Sequence, residues 1–185
     1  MSKLLIPKTV TSIEGGAFYD SHIDTLEFEK DSQLTSLTTS SLQYIYSQRI
    51  ILSNSLEEIQ SNAIYSNSQH FNISFITPRT KILTIQSNGI SDTSIETFAI
   101  PSGTTLKANA LNPSNSLQSV TISENVHLED NCFSGCPNIE SFFILDNNIH
   151  FKDGFLTEGN KLIHISRSTS TSFDASSLSS IYFKR

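Results

Sequence analysis

Short apolar clusters recur along the chain, separated by polar stretches of similar length. "LLIPKTVTSI" from Leu4 and "IILSNSLEEI" from Ile50 share one layout: three apolar residues, a polar stretch, one apolar residue, two polar positions and an Ile. With Ile6 as the first anchor, the equivalent positions are Phe28, Leu52, Ile76, Ile100, Ile122 and Ile144, in steps of 22, 24, 24, 24, 22 and 22 residues. Two places before the anchors lie Leu4, Leu26, Ile50, Phe98, Val120 and Phe142, with Ser74 as the exception. Five places before lie Ile23, Phe71, Ile95, Leu117 and Ile139, with Ser47 as the exception. Apolar residues two apart point to one face of a strand, so each anchor segment predicts a short strand with one buried side.

A second signature follows each anchor: an apolar residue, then four and five places later a small residue and a large apolar one. The trios are Ile13-Ala17-Phe18, Leu37-Ser41-Leu42, Ile59-Ala63-Ile64, Ile85-Gly89-Ile90, Leu106-Ala110-Leu111 and Leu128-Cys132-Phe133. A period of 21 to 26 residues is that of a solenoid. One such coil cannot bury its own apolar side, whereas a stack makes a continuous core. The expectation is a β-rich repeat solenoid of about seven to eight coils over residues 1–185, with short helical or irregular turns and regular coils over 1–150.

The pattern departs near the C-terminus. In "FKDGFLTEGNKLIHIS", "TEGNK" separates two apolar runs with residues suited to a tight turn, which predicts a β-hairpin over 151–165 inserted into or ending a coil. The next fifteen residues, "SRSTSTSFDASSLSS", hold eight Ser and two Thr, a composition compatible with a disordered tract. Phe173, Leu178, Ile181 and Phe183 instead predict a thin last coil over 166–185, with truncation of that coil as the alternative.

Composition narrows the function more than the fold. Charged residues are only 16% of the chain, and the net charge is -6 with no five-residue basic run. This argues against nucleic acid as a partner, because affinity for phosphates rests on clustered Lys and Arg. The apolar start "LLI" is broken by Pro7 and is too short for a secretion signal, and no run approaches a membrane span. Neither direct membrane insertion nor a compartment is indicated.

The chemistry-bearing residues favour packing. Cys132 occupies the slot of Ala17, Ala63 and Ala110, and Cys136 follows in the adjoining turn. C-x-x-x-C with His127 alone is not a zinc pattern. The five histidines are scattered, Glu57-Glu58 reads as solvated, and no nucleophile elbow, P-loop or H-E-x-x-H occurs. We therefore expect no catalytic residue, no cofactor and no metal. "NIS" at Asn72 is an N-glycosylation acceptor if the protein is secreted by a eukaryote, although such tripeptides also arise by chance in so Asn- and Ser-rich a chain.

"LLIPKTVTSIEGGAF" (Leu4 to Phe18) and "LQSVTISENVHLEDNCFSGCPNIESF" (Leu117 to Phe142) resemble the BspA-like leucine-rich repeats of bacterial and protist surface antigens, with Ser123 in the Pro position and Cys132 in the Ala position. "FKDGFLTEGNKLIHIS" looks like the hairpin that interrupts arrays in that family. The resemblance implies a leucine-rich-repeat-type solenoid, adhesion to host, matrix or other surface proteins, and a cell-surface or extracellular location. Surface members usually carry a signal or span, and neither is visible in this chain. An intracellular scaffold with the same repeat is the alternative.

If the anchors and the residues two before them point inward, the residue between points out. That ladder reads Leu5, Glu27, Ile51, Phe75, Ala99, Thr121 and Phe143, followed by His164 and Tyr182. Several rungs are large and apolar, and contiguous exposed apolar surface marks binding sites. The partner-binding residues expected on this face are Glu27, Ile51, Phe75, Thr121 and Phe143. A mis-set register, or a face covered by more of a longer protein, would produce the same sequence. At the fourth coil "NISFI" could instead turn Ile73 and Phe75 inward.

Overall fold

The computed structural model describes residues 3–66 and 71–166. The segment 167–185, with Tyr182 and most of the expected last coil, lies outside the described residues. What is described winds into about six turns of β-solenoid, rather than seven to eight. The described residues contain no helix, so the connections are turns and bends rather than helical pieces.

Each coil has three walls. The first wall holds the anchor strands, as Lys3–Ile6, Thr25–Phe28, Arg49–Leu52 and Asn72–Phe75 in one parallel sheet and Thr97–Ile100, Ser119–Ile122 and Ser141–Ile144 in another. The second wall is a five-stranded parallel sheet of two- and three-residue strands, from Ser36–Leu37 to His127–Leu128. The third wall pairs Leu42–Gln43, Ile64–Tyr65 and Ile90–Ser91.

The interior is a set of stacked columns. Leu26, Ile50, Ile73, Phe98 and Val120 form one, and Phe28, Leu52, Ile100 and Ile122 form the next, all buried. Burying each such side chain stabilises by roughly 1.5–3 kcal/mol, before the entropy of ordering it is counted. Where Ser47 breaks the apolar pattern, Ile45 two residues earlier is fully buried, and the Ser47 hydroxyl donates to the carbonyls of Asp24 (3.3 Å) and Arg49 (3.0 Å).

The small-large trios form the corner between the second and third walls. Ser41, Ala63, Ala110 and Cys132 are fully buried, whereas Ala17 in the first coil is exposed, with no described coil on its far side. At Gly89 even a Cβ would lie 2.9 Å from the Gln86 carbonyl and 3.1 Å from that of Ile59, so this slot admits only glycine without a backbone shift.

The residues immediately before the slot supply a feature that the apolar pattern does not reveal. Gly16, Ser40, Asn62, Asn88, Asn109 and Asn131 all have positive φ, between 56° and 78°. From Gly16 to Asn109, each backbone N–H donates to the carbonyl of the next member, at 2.9–3.0 Å. Gly and Asn reach this left-handed region at low cost, which is why they recur here.

Two expectations about register change. In the fourth coil Leu52 pairs with Phe75 and Ile50 with Ile73, so Phe75, not Ile76, is the anchor, and Ser74 is the outward residue. Turning the apolar pair in buries Ile73 and packs Phe75 against the core. The alternative would bury a serine hydroxyl in the core. At the same place the first wall divides into its two sheets. The Phe71 N–H turns to the Ser94 hydroxyl (3.3 Å), and the Phe75 and Phe98 rings meet edge to face, 6.4 Å apart.

The C-terminal element is antiparallel, as the turn residues suggested, but it has three strands: Ile149–Lys152, Phe155–Glu158 and Lys161–Ile165. Its first turn is Asp153-Gly154, both with positive φ (52° and 84°). Asp-Gly is the dipeptide that favours such a hairpin turn.

Candidate interaction surface

Alternation along the first-wall strands leaves two outward rows. One runs Lys3, Thr25, Arg49, Asn72, then Thr97, Ser119 and Ser141. The other runs Leu5, Glu27, Ile51, Ser74, then Ala99, Thr121 and Phe143. Glu27 and Ile51 are paired neighbours, as are Thr121 and Phe143. The two pairs sit on different sheets with small Ser74 and Ala99 between them. Phe75 does not join them, because it packs against the core from the inward side. The face therefore has apolar ends rather than a continuous apolar stripe: Leu5 is 43% exposed, Phe143 is 71% exposed and Ile51 is half-buried. Glu27 is held by Lys3, Nζ to Oε2 2.7 Å. Asn72 is exposed at the start of its strand, beside Arg49.

His164 is not an outward rung either. It belongs to the antiparallel element, and its ring lies 6.0 Å from Phe133 and 5.8 Å from Phe142. This burial pushes the imidazole down to about 4.

The cysteines are placed by packing. Cys132 and Cys136 are free and buried, and the Cys136 thiol donates to the Leu111 carbonyl at 3.6 Å. Burial raises both thiols, that of Cys136 to about 12, so neither is a thiolate at neutral pH. Among the described residues no three His, Cys, Asp or Glu side chains converge on a metal-sized site.

The repeat is recognised at the level of the sequence as well as of the coils. Residues 1–112 and 84–185 match the BspA type leucine rich repeat region, in six copies. The chain belongs to this family. No curated protein and no solved structure matches it. As a BspA-type repeat array, the chain presents a scaffold whose outward residues vary from coil to coil while its inward columns are held by packing. Its described residues assemble no catalytic constellation, and none forms a helix long and apolar enough to cross a membrane.

The third wall of this array carries residues that the apolar pattern passes over. Tyr19, Tyr44 and Tyr65 stand on successive coils with ring centroids 5.3 and 5.0 Å apart, each pair edge to face. Tyr46 stacks on His22 at 4.5 Å. The signal was available: four of the five tyrosines fall at 19, 44, 46 and 65, about one coil apart.

Proposed function

We propose that this array is a non-catalytic protein-interaction module of a BspA-like surface protein, gripping a partner along the outward face of its anchor strands. One observation carries the reading: a phenylalanine, Phe143, lies 71% exposed on a regularly spaced row whose inward neighbours are mostly buried. Open solenoids offer such rows to long partners, and rigid apolar side chains contribute most of the energy at protein interfaces. Glu27, Ile51, Thr121 and Phe143 are the proposed contacts, and the partner is a host, matrix or other surface protein. An intracellular scaffold would use the same face; the family resemblance favours the surface reading. Recovering the whole gene separates them, since a secretion signal or membrane span outside this sequence favours adhesion. If the protein is secreted by a eukaryote, Asn72 is the glycosylation site, and a glycan there would stand on the same face.

The test is binding to immobilised matrix proteins by surface plasmon resonance. Ile51→Ser and Phe143→Ser should each weaken binding by roughly 1–2 kcal/mol while leaving the melting temperature nearly unchanged. Binding that survives both substitutions would place the contact elsewhere.

A further inference from the structure

The tyrosine ladder of the third wall carries a second interaction surface. Tyr19 is 63% exposed and Tyr46 is 42% exposed, while Tyr44 and Tyr65 are half-buried. Tyr44 holds φ at 53°. Among its counterparts in other coils, Asp20, Asp92 and Gly135 also hold positive φ, whereas Ser66 and Pro113 do not. Asp and Gly tolerate the left-handed region, whereas a bulky aromatic there is strained, and such strain concentrates at functional positions. The backbone of Tyr44 is therefore less stable than an Asn or Gly would make it, and its ring lies between Tyr19 and Tyr65.

The electrostatics around the ladder have one sign. The segments that build this wall and its corner, 14–24, 38–48, 60–66 and 86–96, contain Glu14, Asp20, Asp24, Asp92 and Glu96 and no Lys or Arg. The nearby Asp92 carboxylate, with burial, pushes the Tyr65 hydroxyl up to about 12. Ring faces attract cations through their quadrupole, and carboxylates alongside add charge attraction.

We propose that the Tyr19–Tyr44–Tyr65 ladder docks an extended basic peptide, with Lys or Arg side chains over the rings and the backbone running along the coil axis past Asp20 and Asp92. A neutral oligosaccharide would also stack on tyrosines, but it gains nothing from the surrounding negative charge. This surface is independent of the anchor-strand face, so either can fail alone.

Fluorescence anisotropy with a labelled alternating Arg-Gly decapeptide tests this on the full chain. Ser-Gly and Glu-Gly peptides are the controls, and cellohexaose is the competitor. The Arg-Gly peptide should bind about tenfold or more tighter than Ser-Gly, with no Glu-Gly binding and no displacement by the sugar. Tyr44→Asn should weaken binding by about fivefold or more, with the melting temperature held within about 3 °C because strain relief offsets the lost ring contacts. Tyr44→Phe should bind like the native chain, and Ile51→Ser should have no effect. Tyr19→Ser, at a mostly exposed position, guards against a folding artefact and should also weaken binding. Equal binding of Ser-Gly, displacement by the sugar, or full binding by both Tyr44→Asn and Tyr19→Ser would overturn the proposal.

Discussion

The regular coils and the C-terminal antiparallel sheet solve the same problem in opposite ways. In the coils the strand-forming backbone bonds leave their own coil: Leu42 donates to Ala63, Gln60 to Leu37 and Lys107 to Ile85, while the turn bonds such as Ala63 to Gln60 stay within it. The strand bonds and the core of each coil are completed by its neighbours, so stability is shared between them. Over 149–165 the pairing is local, closed through Asp153-Gly154 and Gly159, and only the apolar side must find a partner. It finds the last coil, with Phe151 5.0 Å from Phe142 and His164 against Phe133. Polar ties reinforce the seam, Lys161 Nζ to Asp130 at 2.7 Å and to the Leu128 carbonyl at 3.3 Å. The coils therefore depend on stacking throughout, and the antiparallel sheet on one seam.

That contrast can be broken most severely inside a coil. Ile122→Ser should cost about 3–5 kcal/mol, combining a cavity with a buried hydroxyl, and should unfold neighbouring coils along with its own. Urea denaturation followed at several coils would read it, and loss confined to one coil would contradict shared stability. Gly89→Ala should cost about 1–3 kcal/mol, because the added Cβ meets backbone oxygens rather than a movable side chain. Alanine in the neighbouring slots 63 and 110 makes this a test of local geometry rather than of residue type.

The seam can be probed by pH. The His164 pKa is lowered from 6.5 to about 4 in the fold by burial. Above 6.5 both states are neutral, and between 6.5 and 4 the unfolded chain takes up a proton that the folded one refuses. Stability therefore falls as pH drops through that window, because the half-buried imidazole resists the proton that the unfolded chain takes up. The melting temperature of the native chain should drop more steeply there than that of His164→Phe, and parallel curves would rule the histidine out. The smallest expected effect is a gain. The Ser41 hydroxyl is buried without a partner in the slot that Ala63 and Ala110 fill, so Ser41→Ala should stabilise by about 1 kcal/mol in a thermal or urea melt.

The candidate surface was legible unevenly. Leu5, Glu27, Ile51, Thr121 and Phe143 lie on the outward row because alternation within a strand is strict once its anchor is known. Phe75 was misplaced because a one-residue slip turns every side chain over, and the sequence "NISFI" carries apolar residues in both registers. His164 was misplaced because its strand pairs antiparallel with Phe155–Glu158 and packs on Phe133 and Phe142, outside the repeat that had been extrapolated to it. The tyrosine ladder was passed over because an apolar-periodicity reading scores tyrosine as one more hydrophobe.

By itself the sequence determined the solenoid, its family and its buried columns, because a period of this length repeats one packing rule in every coil and errors at single positions are outvoted. It also marked the antiparallel element, since Asp-Gly and Gly-Asn turns are local devices. Only the tertiary structure decided the register of the fourth coil, the division of the first wall into two sheets and the inward turn of His164. Each depends on which side chains meet across coils, Phe75 on Phe98 or His164 on Phe133, and contacts between residues far apart in the chain leave no periodic trace.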